Sequence, residues 1–309
     1  MVVDNSRMHP VFRELLAAPA DPDALPVEDR AIEELRQEFE DDMKAVDRAA
    51  PELASVSERS FPGPAGDLPA RIYRDGNDPG APTILFIHGG GMFRGSIDSH
   101  DSICRVLAKE SGGVVVSIDY RKPPEDIYPA AIRDCYAALE WVAANSSEFG
   151  GDAARLWIAG DSAGACHAAA VTLKARDEGG PDIAQQILYY PSVDHATPDE
   201  WESQGLFGKG YWLDTASFCI RLYLPDKRMR AEPWASPLHA DSHAGLPRAY
   251  ICTAGFDPLK DQGKAYADRL RAGGVEVVYE NYENMLHGFV SCRGLVDEAD
   301  ACIARSVRA

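Results

Sequence analysis

Positive charge is what this sequence is short of: its 309 residues carry 31 Lys and Arg against 49 Asp and Glu, a formal net charge of -18. A chain this acidic repels polyphosphate and offers no basic stripe to nucleic acid or an anionic lipid surface. A need for solubility explains the acidity more simply than a salty habitat does. Long apolar runs are also missing. No stretch approaches the roughly 18 residues of a membrane span, and Met1 to Pro26 lacks the basic-then-apolar order of a secretory leader. The expectation is a soluble, cytoplasmic protein with no nucleic-acid or membrane partner. The seven cysteines (Cys104, Cys135, Cys166, Cys219, Cys252, Cys292, Cys302) are odd in number and include no C-x-x-C pair, which suggests neither a disulfide framework nor a zinc knuckle. Buried, reduced thiols are expected. Internal repeats and low-complexity tracts are absent too.

What is present is apolar material for a large core, 45% of the chain, at a length suited to one big α/β domain with an insertion. Between Pro26 and Ala50, the residues Ile32, Leu35, Phe39, Met43 and Val46 recur at helical spacing, so an amphipathic helix precedes any strand. Two short alternating runs, Val56 to Phe61 and Ala70 to Tyr73, flank the turn-rich Pro62 to Asp67 and predict an antiparallel hairpin. Continuous apolar runs then alternate with helical segments. Thr83 to His88, Val114 to Tyr120, Arg155 to Ala159, Gln186 to Tyr190, Ala249 to Thr253 and Val275 to Tyr279 read as buried parallel strands. Asp101 to Ser111, Pro129 to Asn145, Ala163 to Asp177 and Asp261 to Ala272 read as the crossover helices between them. One stretch breaks the alternation: Val193 to Trp234 has no strand pattern but carries Trp201, Phe207, Tyr211, Trp212, Phe218 and Tyr223, with a short helix from Thr215 to Leu224. Placed between two strands, it reads as a helical lid over the strands' C-terminal ends, where open α/β sheets bind ligands. The aromatic cluster alone would more simply be core.

The strongest chemical signal is Gly160-Asp161-Ser162-Ala163-Gly164, a G-x-S-x-G pentapeptide directly between a strand and a small-residue helix. A nucleophile elbow needs glycines two before and two after the serine, because the sharp turn leaves no room for side chains there. Free N–H groups at the start of the following helix favour negative charge near the serine. An ordinary strand-to-helix turn could carry the same five residues, so the pentapeptide does not decide alone. His88-Gly89-Gly90-Gly91 ends another strand, and its glycines let backbone N–H groups approach a substrate oxygen, as an oxyanion hole requires. A flexible turn is the plainer reading; a phosphate loop is disfavoured by the missing lysine motif and the acidity. Asp257 and His287 each lie just beyond a strand end. In a parallel sheet those ends share one edge, so both loops converge on the elbow, and the chain order Ser, Asp, His is the one this arrangement uses.

These motifs together resemble those of the hormone-sensitive-lipase-like esterases, capped α/β-hydrolases marked by an HGGG loop, a GDSAG elbow, a DPL acid loop and an HGF histidine loop. All four stand here, from His88 to Phe289, and the likeness extends over nearly everything after Phe61, including Asp119-Tyr120-Arg121 and Tyr128-Pro129-Ala130-Ala131. The resemblance implies the α/β-hydrolase fold: a mostly parallel eight-stranded sheet, helices on both faces and a helical cap. Residues 1–50 would be N-terminal cap helices, 51–192 and 235–309 the two parts of the core, and 193–234 the cap insertion. It implies a carboxylic ester hydrolase acting on a small-molecule ester, with Ser162, His287 and Asp257 as catalytic triad, the N–H groups of Gly90, Gly91 and Ala163 as oxyanion hole, no metal or cofactor, and room for a homodimer through the sheet edge or cap. The chain departs from the family at Met92, where an aromatic residue usually follows HGGG, at Ala165, where a second glycine is usual, and at Lys122-Pro123 within the Y-R-L-A-P-E loop.

Some residues compete for these roles. Asp161 adjoins the nucleophile and cannot also reach the far side of the histidine, so it is expected to brace the elbow or touch the cap. Asp261, Glu280 and Glu283 rank behind Asp257, and His100 and Asp101 are read as local helix caps. Cys166, one turn after Ser162, is expected on the helix's buried side. Motifs do not separate ester from amide leaving groups, which leaves an amidase or deacetylase as the alternative. A non-catalytic receptor on the same fold is disfavoured by the presence of His287.

Overall fold

Pro82–Ile87 and Val114–Ile118 are apolar at nearly every position, so both faces of these strands need cover, and a central parallel sheet provides it. The computed structural model describes residues 3–18, 25–76, 78, 80–211 and 215–309. The elements that position the site are α1 (Pro10–Ala17), α2 (Ile32–Ala45), β1 (Ser55–Gly63), β2 (Gly66–Arg74), β3 (Pro82–Ile87), α3 (Asp101–Ser111), β4 (Val114–Ile118), α4 (Ala130–Phe149), β5 (Asp152–Asp161), α5 (Ala163–Glu178), β6 (Gln185–Tyr189), α6 (Glu202–Phe207), α7 (Ala216–Tyr223), β7 (Arg248–Phe256), α8 (Lys260–Ala272), β8 (Val277–Leu286) and α9 (Glu298–Ser306). Eight strands form one sheet in the order β1-β2-β4-β3-β5-β6-β7-β8. Only the β1–β2 and β2–β4 pairings are antiparallel; the rest are parallel.

Alternate residues of the central strands enter two separate cores. Leu85, Ile87, Val116, Ile158 and Ile251 pack against α4, α5 and α8 on one face. Ile84, Phe86, Val115, Ala159 and Tyr250 pack against α3 and α9 on the other. The period of two along a strand thus divides the core into layers, and burying one such Val, Leu or Ile contributes about 1.5–3 kcal/mol.

Three expectations need correcting in detail. Pro62 to Asp67 is not an open turn: the hairpin continues through it to the Gly63–Gly66 pairing. The last strand begins at Val277 and runs on to Leu286, carrying Glu280 and Glu283 within it. The amphipathic helix expected across Pro26 to Ala50 occupies only Ile32–Ala45. Of the aromatic residues between Val193 and Trp234, Trp212 falls outside the described residues.

Candidate active site

At the C-terminal edge of the sheet, β5 runs into α5 with a single residue, Ser162, between them. Its backbone, at φ 52 and ψ -116, is one that L residues rarely adopt. Close packing enforces that turn. A Cβ on Gly164 would lie 2.0 Å from the Ile87 carbonyl oxygen, so only glycine lets α5 start this near β3. The Ser162 N–H donates to the Tyr189 carbonyl at 2.9 Å, tying the turn to β6.

Beyond β7 and β8, the loops at Asp257 and His287 reach the same point. His287 Nε2 lies 2.9 Å from Ser162 Oγ, and His287 Nδ1 lies 2.8 Å from Asp257 Oδ2. Because a carboxylate only accepts, Nδ1 carries the proton and Nε2 faces the hydroxyl with its lone pair. Asp257 is fully buried, and its other oxygen accepts from the Leu259 N–H at 2.7 Å. The Tyr190 ring stands edge-on to the imidazole with centroids 4.8 Å apart. The rival acids are engaged elsewhere: Asp261 accepts from the Ser203 N–H, Glu280 from the Tyr250 hydroxyl, and Glu283 pairs with Arg7. Cys166 is buried, 3.6 Å from the Ala235 carbonyl, and burial pushes its thiol far above the ordinary range.

The glycine loop lies across from the elbow. Gly90 has φ +120, and a Cβ there would meet the Arg94 carbonyl at 2.3 Å, so the loop's tight turn requires glycine. Among the described residues, the N–H groups of Gly90, Gly91 and Ala163 have no hydrogen-bond acceptor. Asp161 fixes the base of this loop: its Oδ1 accepts from the Gly89 N–H at 2.8 Å and faces His100 Nε2 at 3.3 Å. Burial alone would raise the Asp161 pKa, but His100 and the Gly89 N–H hold it below the usual carboxylate value. His100 is therefore not a side-chain helix cap, because its ring points at Asp161 and Ser99. Asp101 is not one either, since it binds Arg71, the Tyr73 hydroxyl and Arg105. His88 stacks on Tyr120 at 4.4 Å, and the Tyr120 hydroxyl donates to the His88 carbonyl.

Ser162 stands where two cavities meet. The wider, of ≈ 520 Å³, is lined by Phe39, Asp42, Met43 and Val46 from α2 and its end, by Leu15 of α1, and by Arg94, Tyr190 and His287. The narrower, of ≈ 70 Å³, is lined by Met92, by Gln204 of α6, and by Ala216, Cys219 and Ile220 of α7. A charged hollow of ≈ 590 Å³ between α2 and Lys122 contains none of Ser162, Asp257 and His287. Tyr190, Arg94 and Asp42 line the site without having been singled out by the motifs; only the abutment of Arg94 on HGGG and of Tyr190 on a strand end could have marked them.

Sheet order, elbow and the Ser162, His287, Asp257 alignment are together those of the α/β-hydrolase class. Residues 84–291 match the family described as "alpha/beta hydrolase fold". The chain is 38% identical over 305 residues to the carboxylic ester hydrolase LipN of Mycobacterium tuberculosis, covering 94% of this chain and 79% of that one. It is 39% identical over 287 residues to the esterase LipI of the same organism, covering 90% and 88%. Among solved structures, a hyperthermophilic esterase from the archaeon Pyrobaculum calidifontis superposes with a TM-score of 0.92 at 34% identity, covering 97% of each chain. The chain belongs to the α/β-hydrolase family, in its hormone-sensitive-lipase-like branch, and is a serine carboxylesterase. Among the described residues no helix is long and apolar enough to cross a membrane.

Proposed function

We propose that Ser162, His287 and Asp257 hydrolyse short- to medium-chain acyl esters through an acyl-enzyme, a reading carried by the 2.9 Å and 2.8 Å contacts that link the three side chains. Ser162 Oγ attacks the ester carbonyl while its proton passes to His287 Nε2, and Asp257 holds the imidazolium through Nδ1–H. The oxyanion meets the N–H groups of Gly90, Gly91 and Ala163, a reading supported by their having no acceptor among the described residues. As the tetrahedral centre collapses, the C–O bond to the leaving alcohol breaks and His287 returns the proton to it. Water then repeats the attack on the acyl-enzyme and releases the acid. A segment 193–234 acting as cap together with α1 and α2 fits the cavity linings, and a roofed cavity sets a limit on acyl length.

The test is kcat/KM for p-nitrophenyl esters from acetyl to palmitoyl, with emulsified triglyceride alongside. Each methylene that fits adds about 0.8 kcal/mol of binding, so activity should rise and then fall along the series. S162A should keep its fold and lose roughly 10³–10⁶ in kcat. A fluorophosphonate adduct on any residue other than Ser162 would overturn the nucleophile assignment. A maximum at palmitoyl, or a rate jump on emulsification, would overturn the chain-length reading.

A further inference from the structure

The wider cavity holds a cation that the ester chemistry above does not use. Arg94 lies on the turn that closes the glycine loop, its N–H donating to the Gly90 carbonyl at 3.0 Å. Its guanidinium lies between two aromatic rings, 5.0 Å from the centre of Phe39 on α2 and 4.9 Å from that of Phe93. There it passes over the loop: Nη2 is 3.7 Å from where a Cβ on Gly91 would stand.

Arg94 forms no ion pair with a carboxylate among the described residues, and Glu38 and Asp42 act on its charge only from a distance. Among those residues its side chain donates no hydrogen bond either, and Nε is sealed from solvent without an acceptor. A guanidinium remains charged at neutral pH and carries five donors. Asp42 and Asp161 line the same cavity; among the described residues the Asp42 side chain makes no hydrogen bond or ion pair, and burial raises its pKa while the Arg94 charge lowers it. A buried donor without an acceptor is costly, and aromatic faces satisfy the charge but not the N–H groups. An anionic group on the substrate would satisfy both.

Resting on the assignment of Ser162 as nucleophile, we infer that the wider cavity selects esters bearing a carboxylate, which Arg94 holds while the ester carbonyl lies at Ser162. Because Gly91 is both the neighbour of the guanidinium and a proposed oxyanion donor, the carboxylate belongs on a short arm, a few bonds from the ester. A planar guanidinium takes a carboxylate through two parallel N–H···O bonds, so the preference is for carboxylate over a neutral group of equal size.

The experiment compares kcat/KM for isosteric pairs. In the acyl arm, 4-nitrophenyl 4-methylpentanoate is set against 4-nitrophenyl hemisuccinate. In the alcohol arm, 4-methylpentyl acetate is set against 4-acetoxybutanoate, and 4,4-dimethylpentyl acetate against 3-(trimethylammonio)propyl acetate. The wild-type enzyme should favour the anionic ester over its neutral isostere by about tenfold to a hundredfold in one arm, R94M should bring that ratio to one or below, and R94K should fall between. If R94M does not fold, the wild-type ratio should still decline as salt rises. An anion-to-neutral ratio unchanged in R94M, a neutral preference in both arms, a salt-independent ratio, or a preference for the cationic ester through Asp42 would overturn the inference. Failure of the wild-type enzyme to hydrolyse any neutral ester would instead strike the reading of Ser162 on which it rests.

Discussion

Asp161, next to the proposed nucleophile and in the lining of the wider cavity, also braces the glycine loop. It is buried, and its contacts with the Gly89 N–H and His100 determine where the glycine loop's amides point. Losing it should move the proposed oxyanion donors, and a displacement of about 1 Å in such a group costs on the order of 10² in rate. D161A should therefore lower kcat by roughly 10² with little change in KM, and D161N, which keeps an oxygen acceptor for Gly89, should recover much of it. Equal losses in D161A and D161N would show that the charge toward His100, and not the acceptor, is what matters. The sequence placed Asp161 at the elbow but could not show its partner, because Gly89 lies 72 residues away. Ser162, Asp257 and His287 were legible because strand ends in a parallel sheet converge whatever their separation along the chain. Arg94 and Tyr190 were not, because a side chain's direction within a loop is set by packing that no local pattern encodes.

Among the elements, α2 decides the shape of the wider cavity, and two arginines hold it. Arg36 reaches the Phe93 carbonyl at 2.9 Å, the Pro123 carbonyl at 3.0 Å and the Glu125 carboxylate at 2.7 Å, tying the helix to the glycine loop's exit and to the loop around Pro123. Past its C-terminal end, Arg293, only 3% exposed, bonds Asp47, Ser102 and Asp300. Asp300 keeps Arg48 and Asp47 keeps Ser102 when Arg293 is removed, and both carboxylates are partly exposed, so the loss is that of charge-assisted hydrogen bonds and R293M should destabilise the protein by about 1.5–3 kcal/mol. R36M, at a more exposed site, should cost about 1 kcal/mol or less. Denaturant midpoints at constant m-value would check the order, and a larger loss in R36M would show that α2 is held chiefly from its middle. The helix itself was readable from its apolar spacing. Its place was not, since the clamps depend on residues of other elements as distant as Arg293.

For the molecule as a whole, His88, His167 and His195, imidazoles buried in the core, contribute to the response to acid. Burial pushes His88 and His195 down to about 4 and His167 to about 3. Well above the ordinary imidazole value of about 6.5, both folded and unfolded chains hold these rings neutral. As the pH falls below that, the unfolded chain takes up protons that the folded chain refuses until about 4 or 3, so stability declines through this window and this contribution is exhausted beneath it. Among the described residues His167 has no hydrogen-bond partner at either ring nitrogen, and it meets Tyr120 edge-on at 5.1 Å, so a phenyl ring suits its site. H167F should match the wild type near pH 7.5 and lose less stability by pH 5, the difference approaching one proton's slope; parallel curves would remove His167 from the account. The fold class was legible in the sequence because six buried strands separated by helices admit few arrangements. The hairpin's tight turn was not, since Pro62 to Asp67 is rich in turn residues that the pairing overrides.

The order of the strands also bears on how the enzyme fails. Ser162 leaves β5, which is flanked by β3 and β6 in the middle of the sheet, whereas His287 follows β8, which pairs with β7 alone at the edge. Edge elements open at a lower free-energy cost than central ones. Under mild denaturant His287, the proposed base, should leave before the turn at Ser162 is disturbed, giving a state that is folded by fluorescence yet silent in the assay. Catalytic competence is thus a report on the margin of the sheet and not on its centre, and dilution should restore it faster than the chain could refold.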